Sequence, residues 1–387
     1  MKITGWRSLT TIHRWSRPVG DINGIVTSGE TEVPILILET DCGVNGVGLG
    51  AHGDIERLFP AIDGEDPRAV SALYDRMHRW VFKSGHCGSA FGTIGVLDMA
   101  LWDLKAKLAE QPLWRLLGGR DSSVPCYASG LDYGLDHNEL LGLHDQFVDR
   151  GFTSFKLKGG LDIEHDLERL SSLYELYQKN CKSPAIMIDV NEAMNPKQAI
   201  RYAKAIEKYF ELSWIEEPVR RWDAEGHALV RNQSNCAVAT GENLTGIEQF
   251  LPLLKHGSAD ILQAGMCWGI SHFIRLSHLA HAYGLPVSPV SYNANPVAHA
   301  TTAIPNHISC EVQDLSFPEG LTVDQTIENG GINLGKQHGL GISIDEAAIS
   351  QLASAGWSSP KGPHVRSDRA GLSLKSQFSH SHSVNKV

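Results

Sequence analysis

From about Val124 the sequence alternates short apolar runs with amphipathic stretches of roughly ten to fifteen residues, and this rhythm limits the fold more than any other feature. Runs expected as strands occupy residues 154–158, 185–189, 212–216, 237–240, 260–263, 287–290 and 308–311. They follow one another every 20 to 30 residues or so, about the length of one strand–helix unit. Seven or eight such units in roughly two hundred residues suit a closed parallel sheet better than an open one. The expected fold is therefore α/β: a TIM-type (β/α)7β barrel over residues 124–325.

The flanks lack that rhythm. Residues 1–123 read as an α+β capping domain, with a strand at 33–39 (VPILILE) and a Gly-rich turn at 42–50. A helix follows at 95–108, with Leu97, Leu101, Leu104 and Leu108 on one face. Residues 326–359 read as loops and short strands that return to the capping domain and complete it. Residues 360–387, rich in Ser, His and Lys with few apolar side chains, read as a disordered tail.

Composition excludes several classes of function. A chain of 387 residues that is 42% hydrophobic and 20% charged can bury a large core. A net charge of -10 without a long basic run in the folded part argues against nucleic acid as the main partner. No window is apolar enough to span a membrane and no leader pattern follows Met1, so the expected location is cytoplasmic. The seven cysteines stand singly and in odd number, which fits reduced thiols packed as small hydrophobes. Of these, Cys267 falls in a segment expected to line the active site.

Three acids stand where apolar strands run out: Asp189 in AIMIDVNEA, Glu216 in LSWIEEPV and Glu242 in AVATGENL. Their separations, 216 - 189 = 27 and 242 - 216 = 26, are one strand–helix unit each, so a barrel would aim all three at one centre. A site made only of carboxylates suits a hard cation such as Mg²⁺. Glu217 competes with Glu216 for the ligand role, but alternation turns one of the two to the axis, and Glu216 is preferred.

One unit earlier, Phe155-Lys156-Leu157-Lys158 alternates so that both lysines share a face. Beside a second cation and partly desolvated, a lysine has a lowered pKa and becomes available as a general base near neutral pH.

The order KxK, DxN, EEP, GEN resembles the enolase superfamily, in its mandelate racemase-type subgroup. The likeness extends to LDMALWDLKAK before the barrel and to HGLGISID near its end. It implies that Asp189, Glu216 and Glu242 bind Mg²⁺ and that Lys158 abstracts the proton next to a substrate carboxylate, giving an enediolate stabilised by the ion. By the same resemblance Lys156 lies beside that carboxylate and Asn191 contacts a substrate oxygen. Glu311, in HISCEV, matches an acid that hydrogen-bonds the carboxylate.

The pattern departs from its relatives at two strands. Gly265 stands where members with a second base carry Asp, and LPVSPVSYN has no His. Returning a proton to the opposite face needs an acid there, so racemisation is disfavoured and dehydration of an acid sugar to a 2-keto-3-deoxy acid is preferred. The leaving-group acid could be Lys158, His52 in the turn GLGAHGD, or Tyr292 after the seventh strand. The alternatives are a racemase, epimerase or cycloisomerase of the same superfamily, and a non-catalytic carboxylate-binding protein. Specificity is expected from loops at residues 20–30 and around His52. The partners expected are a small carboxylate, with an acid sugar preferred, and further copies of the chain in a homo-oligomer.

Overall fold

The computed structural model describes residues 1–85, 87–290 and 296–354, so the tail at 360–387 lies outside the described residues. Strand β1 (Ile3–Arg14) pairs antiparallel with β4 (Glu30–Thr40), and β5 (Gly46–Leu49) adds to β4. Between β1 and β4 a small hairpin, β2 (Val19–Asp21) with β3 (Gly24–Val26), projects from this sheet. Helices α1 (Ile55–Leu58), α2 (Val70–Trp80) and α3 (Gly88–Leu108) cover it, and Leu36, Leu38, Leu73, Met77, Leu97 and Leu101 share one core.

The helix expected at 95–108 begins seven residues earlier and is buried nearly all round rather than on one face. Its neighbours explain this, because α3 lies between β5 and the helix Ile270–Ala282. Gly95 permits the approach: a Cβ there would overlap the backbone of Cys267 and Trp268.

Eight strands then run parallel: β6 (Ser123–Ser129), β7 (Ser154–Lys158), β8 (Ala185–Asp189), β9 (Leu212–Glu216), β10 (Ala237–Thr240), β11 (Ile261–Gly265), β12 (Val287–Val290) and β13 (Cys310–Val312). The ladder passes from β12 through β11 and onwards to β6, and β13 pairs parallel with the other edge of β6. Strands β7 to β10 and β12 have the bounds expected from sequence. Strand β13 starts later than expected, because Ile308 instead donates to the Val287 carbonyl at 3.2 Å and His307 forms an isolated parallel bridge with Val287.

Period-two alternation separates two layers. Phe155, Leu157, Ile186, Ile188 and Ile215 turn outward into a core shared with the surrounding helices. Each such burial stabilises the fold by roughly 1.5–3 kcal/mol. Facing inward, Tyr127, Met187, Trp214, Ala239 and Ile261 come one from each of five strands and pack together as a floor. Lys156, in register with Met187 of that floor, brings the first charge to this face.

The segment after β13 forms β14 (Leu321–Val323), β15 (Gln325–Glu328), β16 (Gly331–Leu334) and β17 (Ile342–Ile344). It contacts the N-terminal elements, with the Leu340 amide donating to Asp103 at 2.7 Å and Arg7 ion-paired with Glu346 at 2.5 Å. All seven cysteines are free thiols. Among the described residues no helix is long and apolar enough to cross a membrane.

Candidate active site

Strand β7 ends on Lys158 and β8 on Asp189, and parallel register sets the two residues side by side. Lys158 Nζ lies 2.5 Å from Asp189 Oδ2. One layer down, Lys156 is wholly buried over the Tyr127 ring, with Nζ 2.6 Å from Glu216 Oε1, 2.9 Å from Glu311 Oε1 and 3.6 Å from Asp189 Oδ2. Trp214 Nε1 donates to the second oxygen of Glu216 at 3.0 Å. Five of the sequence-predicted residues, Lys156, Lys158, Asp189, Glu216 and Glu311, thus form one buried charge cluster.

Glu242 follows β10 and is only partly buried; its Oε1 accepts from Asn243 Nδ2 at 3.1 Å. The same amide nitrogen donates to Glu217 Oε1 at 2.9 Å. Glu217 has φ 43°, a left-handed turn just past the strand, and this carries its side chain towards Asn243 while Glu216 stays with the lysines. Both glutamates of EEP are therefore buried, each in its own environment.

Electrostatics follow from that crowding. Burial, with Asp189 and Glu311 nearby, pushes the Glu216 carboxyl up to about 7. Burial, with Asp189 and Glu216, pushes Glu242 up to about 8. Burial also acts against the charge on Asp189, but Lys158 and Lys156 outweigh it and hold that carboxyl below its ordinary range. For Lys158 the expected depression is not found. Burial does disfavour its charge, yet the contact with Asp189 outweighs burial and the repulsion from Lys156, and the pKa is raised. Lys156, between Glu216 and Glu311, is raised as well.

A cavity of about 140 Å³ opens above the cluster. Lys158, Asn191, Glu242 and Asn243 supply one side, and Gly265, Met266, Cys267 and Val290 at the ends of β11 and β12 supply another. The hairpin β2–β3 and its flanks close the top through Trp15, Val19, Asp21 and Val26, so the loop expected to shape specificity at residues 20–30 does border the cavity. Asn191 packs against Asp189, its amide N–H donating to Oδ1 at 2.8 Å, while its own buried Oδ1 has no hydrogen-bond partner.

Residues 140–348 match the family described as Enolase C-terminal domain-like, and residues 10–118 match the mandelate racemase / muconate lactonizing enzyme N-terminal domain. The chain belongs to the enolase superfamily. Its mandelate racemase-type branch includes an L-talarate/galactarate dehydratase of Salmonella typhimurium, 31% identical over 82% of this chain and 82% of that protein. It also includes a 3,6-anhydro-alpha-L-galactonate cycloisomerase of Streptomyces coelicolor, 30% identical over 75% of this chain and 80% of its own length. A racemase from Streptomyces coelicolor, crystallised with bound magnesium, superposes with a TM-score of 0.82 at 27% identity, covering 90% of this chain and 99% of that one. Such structures imply an α/β barrel with an N-terminal cap.

Magnesium is the cofactor of these superfamily sites, and the donor set here suits it. The ligating atoms available are all carboxylate oxygens, as a hard cation prefers. Acids outnumber the ammonium groups, and carboxyls raised to about 7 and 8 are ones that added positive charge would bring down. Among the described residues no three acidic, His or Cys side chains already meet at one point, because Lys156 bridges Glu216 and Asp189. Holding an ion therefore requires these side chains to rearrange around it.

Of the sequence-predicted residues, Glu311 and His52 do not line the cavity. Glu311 lies below it, held by Lys156 and by Gln313 Nε2 at 2.9 Å. His52 is buried in the N-terminal domain with both ring nitrogens engaged, Nε2 with Ser8 Oγ at 2.7 Å and Nδ1 with the Gly50 carbonyl at 2.8 Å, so the proposed acid faces its own sheet. Tyr292 lies outside the described residues. Sequence reasoning weighed Glu217 only as a rival to Glu216, and it did not find Asn243 or Trp214. Only GEN, with Asn243 beside Glu242, carried a local signal.

Proposed function

We propose that the protein is a magnesium-dependent hydro-lyase that removes the α-proton of a hydroxy-carboxylate and eliminates the β-hydroxyl, yielding a 2-keto-3-deoxy acid. The observation that carries this reading is the asymmetry of the cavity. Lys158 stands on one wall, whereas the facing strand ends offer Gly265, Met266, Cys267 and Val290. Burial beside Glu242 pushes the Cys267 thiol up to about 12, so among the described residues that wall supplies no ready proton donor.

Lys158 would take the α-proton, and Asp189, Glu216 and Glu242 would hold the ion. When bound, magnesium supplies Lewis-acid stabilisation of the substrate carboxylate as negative charge develops on it. Lys156 keeps Glu216 and Glu311 in place and adds fixed positive charge beneath the reacting carboxylate. The unpartnered Asn191 oxygen is suited to accept from a substrate hydroxyl. Hairpin β2–β3 excludes water from above. With one base and one-sided chemistry, the protonated Lys158 can return its proton to the departing hydroxyl when both groups leave from the same face.

The same reading takes the eight parallel strands as a closed (β/α)7β barrel, supported by the Val287–His307 bridge on one side and the β13–β6 pairing on the other.

The test is a panel of acid sugars, incubated with the protein and Mg²⁺ in D₂O. The expected product is a 2-keto acid formed with loss of water. Exchange of the α-hydrogen with inversion and no water loss would instead identify a racemase or epimerase. Isomerisation without either would identify a cycloisomerase.

A further inference from the structure

The base strand is held by an arrangement that none of the motifs announces. In the ladder, Ser129 at the end of β6 pairs with Lys156. Two residues on, where Leu131 would face Lys158, Leu131 instead has φ 48° and the chain turns out of the sheet. The main-chain groups of Lys158 thereby lose a strand neighbour on that edge, deep in the protein, where an unmade hydrogen bond is costly.

Two side chains replace the strand. Asp132 Oδ1 accepts the Lys158 amide N–H at 3.0 Å, and Arg169, from the helix Ile163–Tyr177, donates Nη1 to the Lys158 carbonyl at 2.8 Å. The other arm of the guanidinium donates to the Asp132 carbonyl at 2.9 Å and to its Oδ1 at 3.2 Å. Behind them His144 Nε2 meets Asp132 Oδ2 at 3.1 Å, and His144 Nδ1 meets the Tyr177 hydroxyl at 2.9 Å. Asp132, His144 and Arg169 are almost wholly buried. On the opposite edge, Lys158 is in register with Asp189.

The turn also reaches the cap. The Leu131 carbonyl accepts from the Gly20 amide of β2 at 3.0 Å, and Gly20 is bridged to Asp132. Consecutive residues therefore hold the hairpin over the cavity and the backbone of the lysine inside it.

We propose that Asp132 and Arg169 are positioning residues that fix Lys158 at the reacting carbon by clamping its amide and carbonyl where strand β6 has ended. The inference rests on Lys158 being the base. A fork that binds two oxygens in fixed geometry cannot be replaced by the point charge of a lysine, which makes Arg169→Lys the informative variant.

The experiment measures kcat and KM on whichever acid sugar of the panel the wild type consumes, and records ¹³Cε-lysine spectra of the full chain with the Lys158 signal assigned by its loss in Lys158→Ala. Arg169→Lys is expected to lower kcat roughly 10- to 100-fold while KM stays within about twofold, since misplacing a reacting group costs rate more than binding. Its Lys158 signal should move. Tyr177→Phe, which trims only the far end of the network, should keep kcat and the Lys158 signal near wild type. An unmoved signal with unchanged kcat overturns the proposal, and so does a Tyr177→Phe variant as impaired as Arg169→Lys. If Arg169→Lys does not fold, Asp132→Asn is read by the same criteria. A wild type inactive on the whole panel counts against the dehydratase reading alone, and the spectra then decide the clamp.

Discussion

Lys158 and Asp189 are register partners on adjacent parallel strands, and their side chains meet at 2.5 Å above a floor of packed apolar residues. The contact keeps the lysine charged, whereas a base must give up that charge. The site thus resolves its competition between burial and pairing in favour of the ion pair, and any cation that engages Asp189 shifts the balance towards a neutral amine.

The first prediction concerns that amine. Lys158→Met should abolish exchange of the α-hydrogen with solvent, a loss of at least about 100-fold, as expected when a positioned base is removed. Binding of the same carboxylate in the presence of Mg²⁺, followed by calorimetry, should persist. A variant that still exchanges the α-hydrogen at wild-type rate would assign the base elsewhere.

A second prediction follows from the surplus of acid around the lysines. An ion that binds only the folded state at a hundred times its dissociation constant stabilises it by about 2.7 kcal/mol. Mg²⁺ should therefore raise the Tm and EDTA should lower it. In Glu242→Gln the Mg²⁺-dependent part of the shift should shrink, since one ligand is neutral. Identical melting curves with Mg²⁺ and with EDTA would argue against a resident divalent ion.

Much of this site was legible because its signals are local and periodic. Strand ends at Lys158, Asp189 and Glu216 could be placed to the residue, since each is a short apolar run broken by a charge. What escaped depends on the path of the chain after the strand. Left-handed turns at Leu131 and Glu217 aim Asp132 towards Lys158 and Glu217 towards Asn243, and no periodicity encodes a reversal at a non-glycine residue. His52 shows the opposite failure. A histidine in a Gly-rich turn looks available, but its partners Ser8 and Gly50 belong to the N-terminal sheet and its turn, and the pairing arises only on folding.

Gly265 supplies a third prediction. A side chain there would begin with a Cβ 3.0 Å from the Glu242 carbonyl and 3.1 Å from Trp268 Nε1, closer than ordinary packing allows. Restoring the acid of other superfamily members by Gly265→Asp should therefore not convert the enzyme to a racemase. It should destabilise the protein by about 1–3 kcal/mol, the usual cost of overpacking. Denaturant unfolding measures the loss, and ¹H NMR in D₂O checks for inversion. Inversion at undiminished stability would overturn the steric argument.

The last prediction uses pH, away from the metal-binding cluster. His299 is 4% exposed, and its Nδ1 accepts the Trp114 amide at 3.2 Å, which requires a neutral ring. Burial, only partly opposed by a backbone contact to Leu340 and by Asp324, lowers its pKa to about 4. An unfolded histidine titrates near 6.5, so below that pH the unfolded chain binds a proton that the native protein refuses. The sign is therefore fixed: the stability His299 contributes is complete above about pH 6.5 and is lost as the pH falls towards 4. At pH 5 the expected loss is roughly 2 kcal/mol. His299→Asn keeps an oxygen that can accept the Trp114 amide but cannot take up the proton. Urea midpoints at pH 7.5 and pH 5 should converge more in this variant than in the wild type. Equal acid sensitivity in the two proteins would mean that His299 is charged in the native state or already protected in the unfolded one.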